Sequence, residues 1–177
     1  MSKQPAPKKT APKKTVAKKT AALDGLQPGD KAPAFSLPGD GGEKISLSAL
    51  KGKKIVLYFY PKDDTSGCTK EAIDFSAAKA QFEKLNTVVI GCSRDSVASH
   101  DKFKTKHKLR VALAADEEGA VCAAYGVWVE KKLYGRTYMG IERATFLIDE
   151  KGVIKQVWRK VKVPGHADAV LAEIRGT

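Results

Sequence analysis

Tyr58-Phe59-Tyr60-Pro61-Lys62-Asp63-Asp64-Thr65-Ser66-Gly67-Cys68-Thr69 joins two kinds of apolar pattern and leaves a cysteine at the joint. Upstream, Ile55-Val56-Leu57-Tyr58-Phe59-Tyr60 is continuously apolar, as in a strand covered on both faces of a mostly parallel sheet. Downstream, Ala72, Phe75, Ala78, Phe82 and Leu85 recur at three- and four-residue steps, which predicts a helix from about 68 to 85. Cys68 therefore stands near a helix N-terminus, where unpaired N–H groups and the positive dipole end favour thiolate over thiol. The stretch predicts a nucleophilic cysteine.

Working outward, Thr87 to Cys92 is a second strand, so strand, helix and strand make a βαβ unit. Ser96 precedes a polar helix over 97–108 anchored by Phe103; Val111 to Ala114 reads as a short strand and Glu118 to Tyr125 as a short helix. Residues 127–141, with Trp128, Tyr134, Tyr138 and Met139 among charges, read as a loop. Strands at 143–148 and 153–161 flank the turn Asp149-Glu150-Lys151-Gly152, and 167–174 is a helix with Val170, Leu171 and Ile174 inward. Residues 29–50, punctuated by Pro33, Pro38 and Gly39-Asp40-Gly41-Gly42, give one or two short strands with a helical turn from Ser46 or Ser48, covering a sheet edge. The alternation of helix and strand defines an α/β sandwich around a central sheet.

Strand, loop and cysteine-bearing helix also describe a dithiol redox site, but Thr65 stands where the first cysteine of Cys-x-x-Cys would be. That disfavours a disulfide reductase of thioredoxin type. Pro61-x-x-x-Thr65-x-x-Cys68 resembles instead the Pro-x-x-x-Thr-x-x-Cys motif of the peroxiredoxins, thiol peroxidases of thioredoxin-like fold. Gly29 to Leu37, Val88 to Ser96 and Arg143-Ala144-Thr145-Phe146-Leu147-Ile148-Asp149 extend the resemblance, which runs from about Leu26 to the C-terminus and is nearest the bacterioferritin comigratory protein or peroxiredoxin Q subgroup.

The resemblance implies a central mixed sheet flanked by helices and a thiol-dependent reduction of hydrogen peroxide and organic hydroperoxides, with no metal or organic cofactor. Cys68 would attack one peroxide oxygen and become a sulfenic acid. Thr65, otherwise read as a helix cap, would bond peroxide and thiolate, and Pro61, otherwise a strand terminator, would shield the thiolate. Arg143 would be the catalytic arginine. Glu71 would orient it, although a first-turn acid is favourable on any helix. Many subgroup members carry a resolving cysteine five residues after the nucleophile, where this chain has Ile73, and others on the helix at 97–108, which here has none. Cys92 and Cys122 are then candidate resolving cysteines or plain core residues, and a one-cysteine cycle closed by thioredoxin, glutaredoxin or glutathione is expected. The subgroup also implies a monomer.

Residues 1–22 are a different object. Lys8-Lys9-Thr10, Lys13-Lys14-Thr15 and Lys18-Lys19-Thr20 repeat every five residues, and residues 1–20 hold seven lysines and no acid, out of a net charge of +12. Such a segment buries too little to offset its chain entropy and is expected to be disordered, ahead of a catalytic domain from 23 to 177. Lys8, Lys9, Lys13, Lys14, Lys18 and Lys19 form either a solubilising arm or a non-specific DNA contact. The rival reading of the whole chain follows: a nucleic-acid-associated protein whose globular part protects or senses. Three cysteines without regular spacing suit a reducing compartment, and with no membrane span or secretory h-region in the sequence the expected location is cytoplasmic, with nucleoid or nuclear association through the tail as its extension. His100, His107 and His166 form no metal-ligand spacing with the cysteines, so no metal is expected.

Overall fold

The computed structural model describes residues 25–177. The tail and its six candidate lysines lie outside the described residues. In chain order, β1 (Ser36–Pro38) pairs antiparallel with β2 (Lys44–Ser46), with a 3-10 turn at Asp40–Gly42 between them and another at Ser48–Leu50 after them. There follow β3 (Lys54–Phe59), α1 (Ser66–Ala77), α2 (Lys79–Lys84), β4 (Thr87–Ser93), α3 (Val97–His107), β5 (Ala112–Ala115) and α4 (Ala120–Ala124). The chain closes with β6 (Trp128–Leu133), β7 (Arg136–Ile141), β8 (Ala144–Ile148), β9 (Ile154–Trp158) and α5 (His166–Arg175).

The central sheet runs β5-β4-β3-β8-β9, with β3 parallel to β4 and β4 to β5, while β8 is antiparallel to both β3 and β9. This is the mixed sheet of the thioredoxin-like α/β fold. The doubly apolar run is its middle strand, and its two parities feed two cores. Val56, Tyr58 and Tyr60 pack with Phe75, Phe82 and Phe103 under α1, α2, α3 and α5. Ile55, Leu57 and Phe59 pack with Phe146, Tyr125 and the α4 residues Val121 and Cys122. The N-terminal segment crosses that second face. Lys31 bridges Val153 beside the β8–β9 turn, Ala32 and Phe35 are buried on the way, and Gly39 bridges Ala114 on the edge strand β5. Asp40 ties the crossing down by accepting from the Leu113 N–H at 2.8 Å and from Lys104 Nζ at 2.6 Å.

Two expectations are corrected. The helix expected over 68–85 starts two residues earlier and breaks at Ala78, whose ψ of −1° separates α1 from α2. Ala78 is neither glycine nor proline, so the apolar period runs through the break unmarked. Residues 127–141 form the β6–β7 hairpin instead of a loop. Leu133 pairs with Arg136 around Tyr134 and Gly135, both at positive φ (49° and 75°), as a two-residue type I′ turn requires. The Asp149 turn is as expected: its carboxylate accepts from the Lys151 and Val153 N–H groups, both at 2.9 Å.

The sheet's tightest packing is at Gly91, which pairs with Tyr58 across the β3–β4 ladder. A Cβ there would lie 2.7 Å from Tyr58 Cζ and Oη and 3.0 Å from Leu113. Gly91→Ala should therefore overpack the first core and cost about 1–3 kcal/mol. Urea unfolding checks this, and a stability equal to the parent's would show that Tyr58 has room to move.

Candidate active site

The site sits where β3 ends. Because β8 runs antiparallel to β3, with Ala144 opposite Phe59, the residue just before β8 arrives beside the loop that follows β3. That residue is Arg143. Its Nη2 donates to Cys68 Sγ at 3.3 Å, from 75 positions away in sequence. Gly67 makes the approach possible, since a Cβ there would stand 3.2 Å from the same Nη2. Cys68 is the third residue of α1 and almost wholly buried.

Glu71, one turn further along α1 and 1% exposed, lies with Oε2 at 3.3 Å from Arg143 Nη1. The distance makes an ion pair, but the angles do not make a hydrogen bond. Both Glu71 oxygens and Nη1 lack a hydrogen-bond partner among the described residues, as does the buried Tyr58 hydroxyl. Burial pushes the Glu71 carboxyl up to about 7, against the opposing pull of the Arg143 charge. Burial also holds the Tyr58 phenol well above its ordinary range, with Glu71 and Cys68 adding to the effect. His166, on the far side of β8, bonds Thr145 at 2.7 Å and is lowered to about 4 by burial and by Arg143, so it stays neutral.

Thr65 occupies the N-cap position in extended backbone (φ −89°, ψ 155°), but its side chain makes no capping bond. The hydroxyl instead donates to the Lys62 carbonyl at 2.9 Å. Its proton being used there, the oxygen faces the site as an acceptor. Pro61 opens the loop with a fixed φ and no N–H.

The loop is anchored by groups that the sequence reading did not assign. The Asp63 carboxylate accepts from Tyr60 Oη at 2.6 Å, Ser99 Oγ at 2.8 Å and His100 Nδ1 at 2.7 Å, and the Asp63 N–H donates to Asp95 at 2.9 Å. His100 is fully buried, and its Nε2 faces the Ala114 carbonyl at 3.0 Å. Both ring nitrogens meet acceptors, so the ring is doubly protonated. Burial pulls its pKa down, but the Asp63 hydrogen bond and charge, with the Ala114 carbonyl, outweigh it and the net direction is up. The available signal was the helical spacing of His100, Phe103 and His107, which puts all three on one side of α3. At the exposed end of the loop Asp64 takes Lys106 Nζ at 2.6 Å and His107 Nε2 at 2.7 Å.

Cys92 and Cys122 do not join Cys68. They belong to the second core, across the sheet, whereas Cys68 lies in the first. There the two sulfurs and an Asp116 oxygen come within 4.8 Å of one another, all buried. The hydrogen bond with Cys122, then burial, raises Cys92 well above the ordinary thiol range, which keeps it a neutral thiol. The sequence reading found no such cluster because it looked for histidine partners, and Asp116 offers no spacing motif. One Asp116 oxygen already accepts from the Cys122 N–H at 2.7 Å, so the group is occupied as part of the core.

A lone thiol under a guanidinium, at a helix start on a thioredoxin-like sheet, defines an enzyme that uses one cysteine as a nucleophile. The AhpC/TSA family profile matches residues 28–157. The chain is 54% identical over 149 residues to a Coxiella burnetii protein of the Bcp name, covering 84% of this chain and 99% of that one. It is 50% identical over 150 residues to peroxiredoxin Bcp of Bacillus subtilis, covering 85% and 96%. Among solved structures, a Xanthomonas campestris bacterioferritin comigratory protein, described for its alkyl peroxide reduction, superposes with a TM-score of 0.77 at 46% identity, covering 80% of this chain and 90% of that one. The chain belongs to the AhpC/TSA family and, within it, to the Bcp or peroxiredoxin Q peroxiredoxins, thiol-dependent peroxidases.

The raised Glu71 carboxyl is directly measurable. Infrared spectra of the parent minus Glu71→Gln should contain a protonated carboxyl band that disappears with a midpoint near pH 7. A midpoint in the ordinary carboxylate range would mean that Arg143 outweighs burial.

Proposed function

We propose that the enzyme reduces hydrogen peroxide and alkyl hydroperoxides through Cys68 alone among its cysteines. The Cys68 thiolate attacks the terminal peroxide oxygen; the S–O bond forms, the O–O bond breaks, and the leaving oxygen takes a proton to become water or an alcohol. Arg143 carries the reading: its 3.3 Å bond to Sγ puts a fixed positive charge where sulfur charge starts and where oxygen charge develops. Thr65 accepts the hydroperoxide O–H and so turns the peroxide toward sulfur. Pro61 closes the loop over the thiolate. Glu71 positions Arg143 from behind.

The sulfenic acid is then released by an external thiol, which forms a mixed disulfide and expels water; a second thiol frees Cys68. Thioredoxin, glutaredoxin and glutathione all supply that chemistry. Support for one-cysteine turnover comes from the absence of cysteine at Ile73 and over 97–108 and from the separation of Cys92 and Cys122 from Cys68 by the sheet. We take the enzyme to act as a monomer in the cytoplasm; no described helix is long and apolar enough to cross a membrane.

Intact mass after one equivalent of peroxide, with a sulfenic-acid trap present and Cys68→Ser as control, tests the cycle. One trap adduct, absent from the control, is expected. Loss of two hydrogens instead would mean an internal disulfide and overturn the one-cysteine mechanism.

The tail, residues 1–22, is in this reading a separate arm ahead of the enzyme body at 23–177, and its lysines give weak, salt-sensitive contact with DNA. Deleting residues 1–22 should abolish retention on DNA and leave peroxide turnover intact. Turnover lost with the tail would favour the reading in which nucleic-acid association is the main task.

A further inference from the structure

The largest cavity, about 540 Å³ between Asp40, Lys53, Phe82 and Arg110, lies at the opposite end of the strands from Cys68 and holds no group that the reaction uses. A smaller one, about 350 Å³, opens beside Pro61, and the β6–β7 hairpin forms its wall. Trp128, Tyr138, Met139 and Ile141 make that wall apolar, with Tyr138 and Met139 each nearly half exposed. Large apolar side chains left open at the rim of a concave site suit an organic ligand and are wasted on hydrogen peroxide.

The same cavity carries two cations, Arg94 and Lys131, against one carboxylate, Glu117. Arg94 is fixed: its guanidinium lies 4.5 Å over the Trp128 ring, and Nε and Nη2 donate to the Glu117 backbone carbonyl at 3.3 and 3.1 Å. Lys131 stands opposite Tyr138 in the hairpin ladder, and its stem is pressed against Gly140, where a Cβ would lie 3.2 Å from Lys131 Cδ. Among the described residues neither cation forms an ion pair. Burial and the Arg143 charge both weaken Lys131's hold on its proton, while Cys68 and Glu142 act the other way, which places the ammonium within the field of the reacting groups. A half-buried cation repelled by a neighbouring cation gains more than an exposed one when an anion arrives.

We propose that this cavity is a subsite for organic hydroperoxides that carry a carboxylate, with the hydrocarbon against Trp128, Tyr138 and Met139 and the carboxylate held by Lys131, assisted by Arg94. Lys131 is then a specificity-determining residue for the peroxidase reaction. The inference rests on the peroxidase reading of Cys68 and adds to it a preference for charge.

Cumene hydroperoxide and its para-carboxylate differ in little but charge and size at one end. The quantity to measure is the ratio of kcat/KM for the carboxylate to that for the neutral compound. In the parent at low salt the ratio should be about tenfold, the rate equivalent of one well-placed charge-assisted contact, and it should fall as salt is raised. Lys131→Met should bring it near unity through KM, and Lys131→Arg should restore it. A parent ratio at or below unity, or one unmoved in Lys131→Met, overturns the subsite. If Lys131→Met does not fold, the salt series on the parent decides, and a salt-independent ratio overturns it. Reduction of both compounds without preference sinks this inference alone; reduction of neither sinks the peroxidase reading beneath it.

Discussion

A guanidinium resting on a buried sulfur is the contact that the rest of the structure serves. For Arg143 to reach Cys68, β8 must lie antiparallel to β3 and in the register that sets Ala144 opposite Phe59. That register is held from both faces, because β3 and β8 each send side chains into two cores and a one-residue slip would exchange every one of them. The catalytic distance is therefore set by apolar packing well away from the thiol. Gly67 and Glu71 finish the arrangement locally, one by giving room and the other by placing a carboxyl behind the guanidinium.

The site is poor in satisfied polar contacts beside the sulfur and rich in them on the loop. Glu71 and Tyr58 keep unpartnered oxygens in the core, each at a cost of about 1–3 kcal/mol. A few residues away, Asp63 collects three donors, and the doubly protonated His100 ring bridges it to β5. The division has a chemical logic. Donors crowded onto the thiolate would stabilise it and blunt its attack, whereas donors on Asp63 hold the loop without touching the reacting atoms. One charge on sulfur, from Arg143, is kept because it serves both the nucleophile and the departing oxygen.

What could be read in the sequence follows the range of the forces involved. The middle strand, the helix start at the cysteine and the Asp149 turn are local patterns, and all are legible. The β6–β7 hairpin escapes because its turn is Tyr134-Gly135, where an Asn-Gly or Asp-Gly pair would have announced positive φ. The break at Ala78 escapes because no glycine or proline marks it. Within the site, Cys68 follows from its own neighbourhood, but nothing in the spacing singles out Arg143 among the arginines; it is found through family resemblance or through the β3–β8 register. Asp63 with His100, and Asp116 with the two remaining cysteines, meet only through tertiary packing.

The same packing bears on how the cycle closes. A sulfenic acid on Cys68 can meet another cysteine of its own chain only if the first turn of α1 leaves the sheet, which breaks the Arg143 contact and uncovers Ala72 and Phe75. In a chain with a cysteine on α1 or α3, that loss is offset by the disulfide it makes possible. Here Ile73 and the residues of α3 offer no sulfur, and Cys92 and Cys122 stay behind the sheet however far α1 unwinds. With nothing to gain from unwinding, a loop fastened at Asp63 and again at Asp64 suits a thiol that comes from outside. The anchors that keep Thr65 and Pro61 in place for the peroxide then also keep the sulfenic acid in place for its reductant.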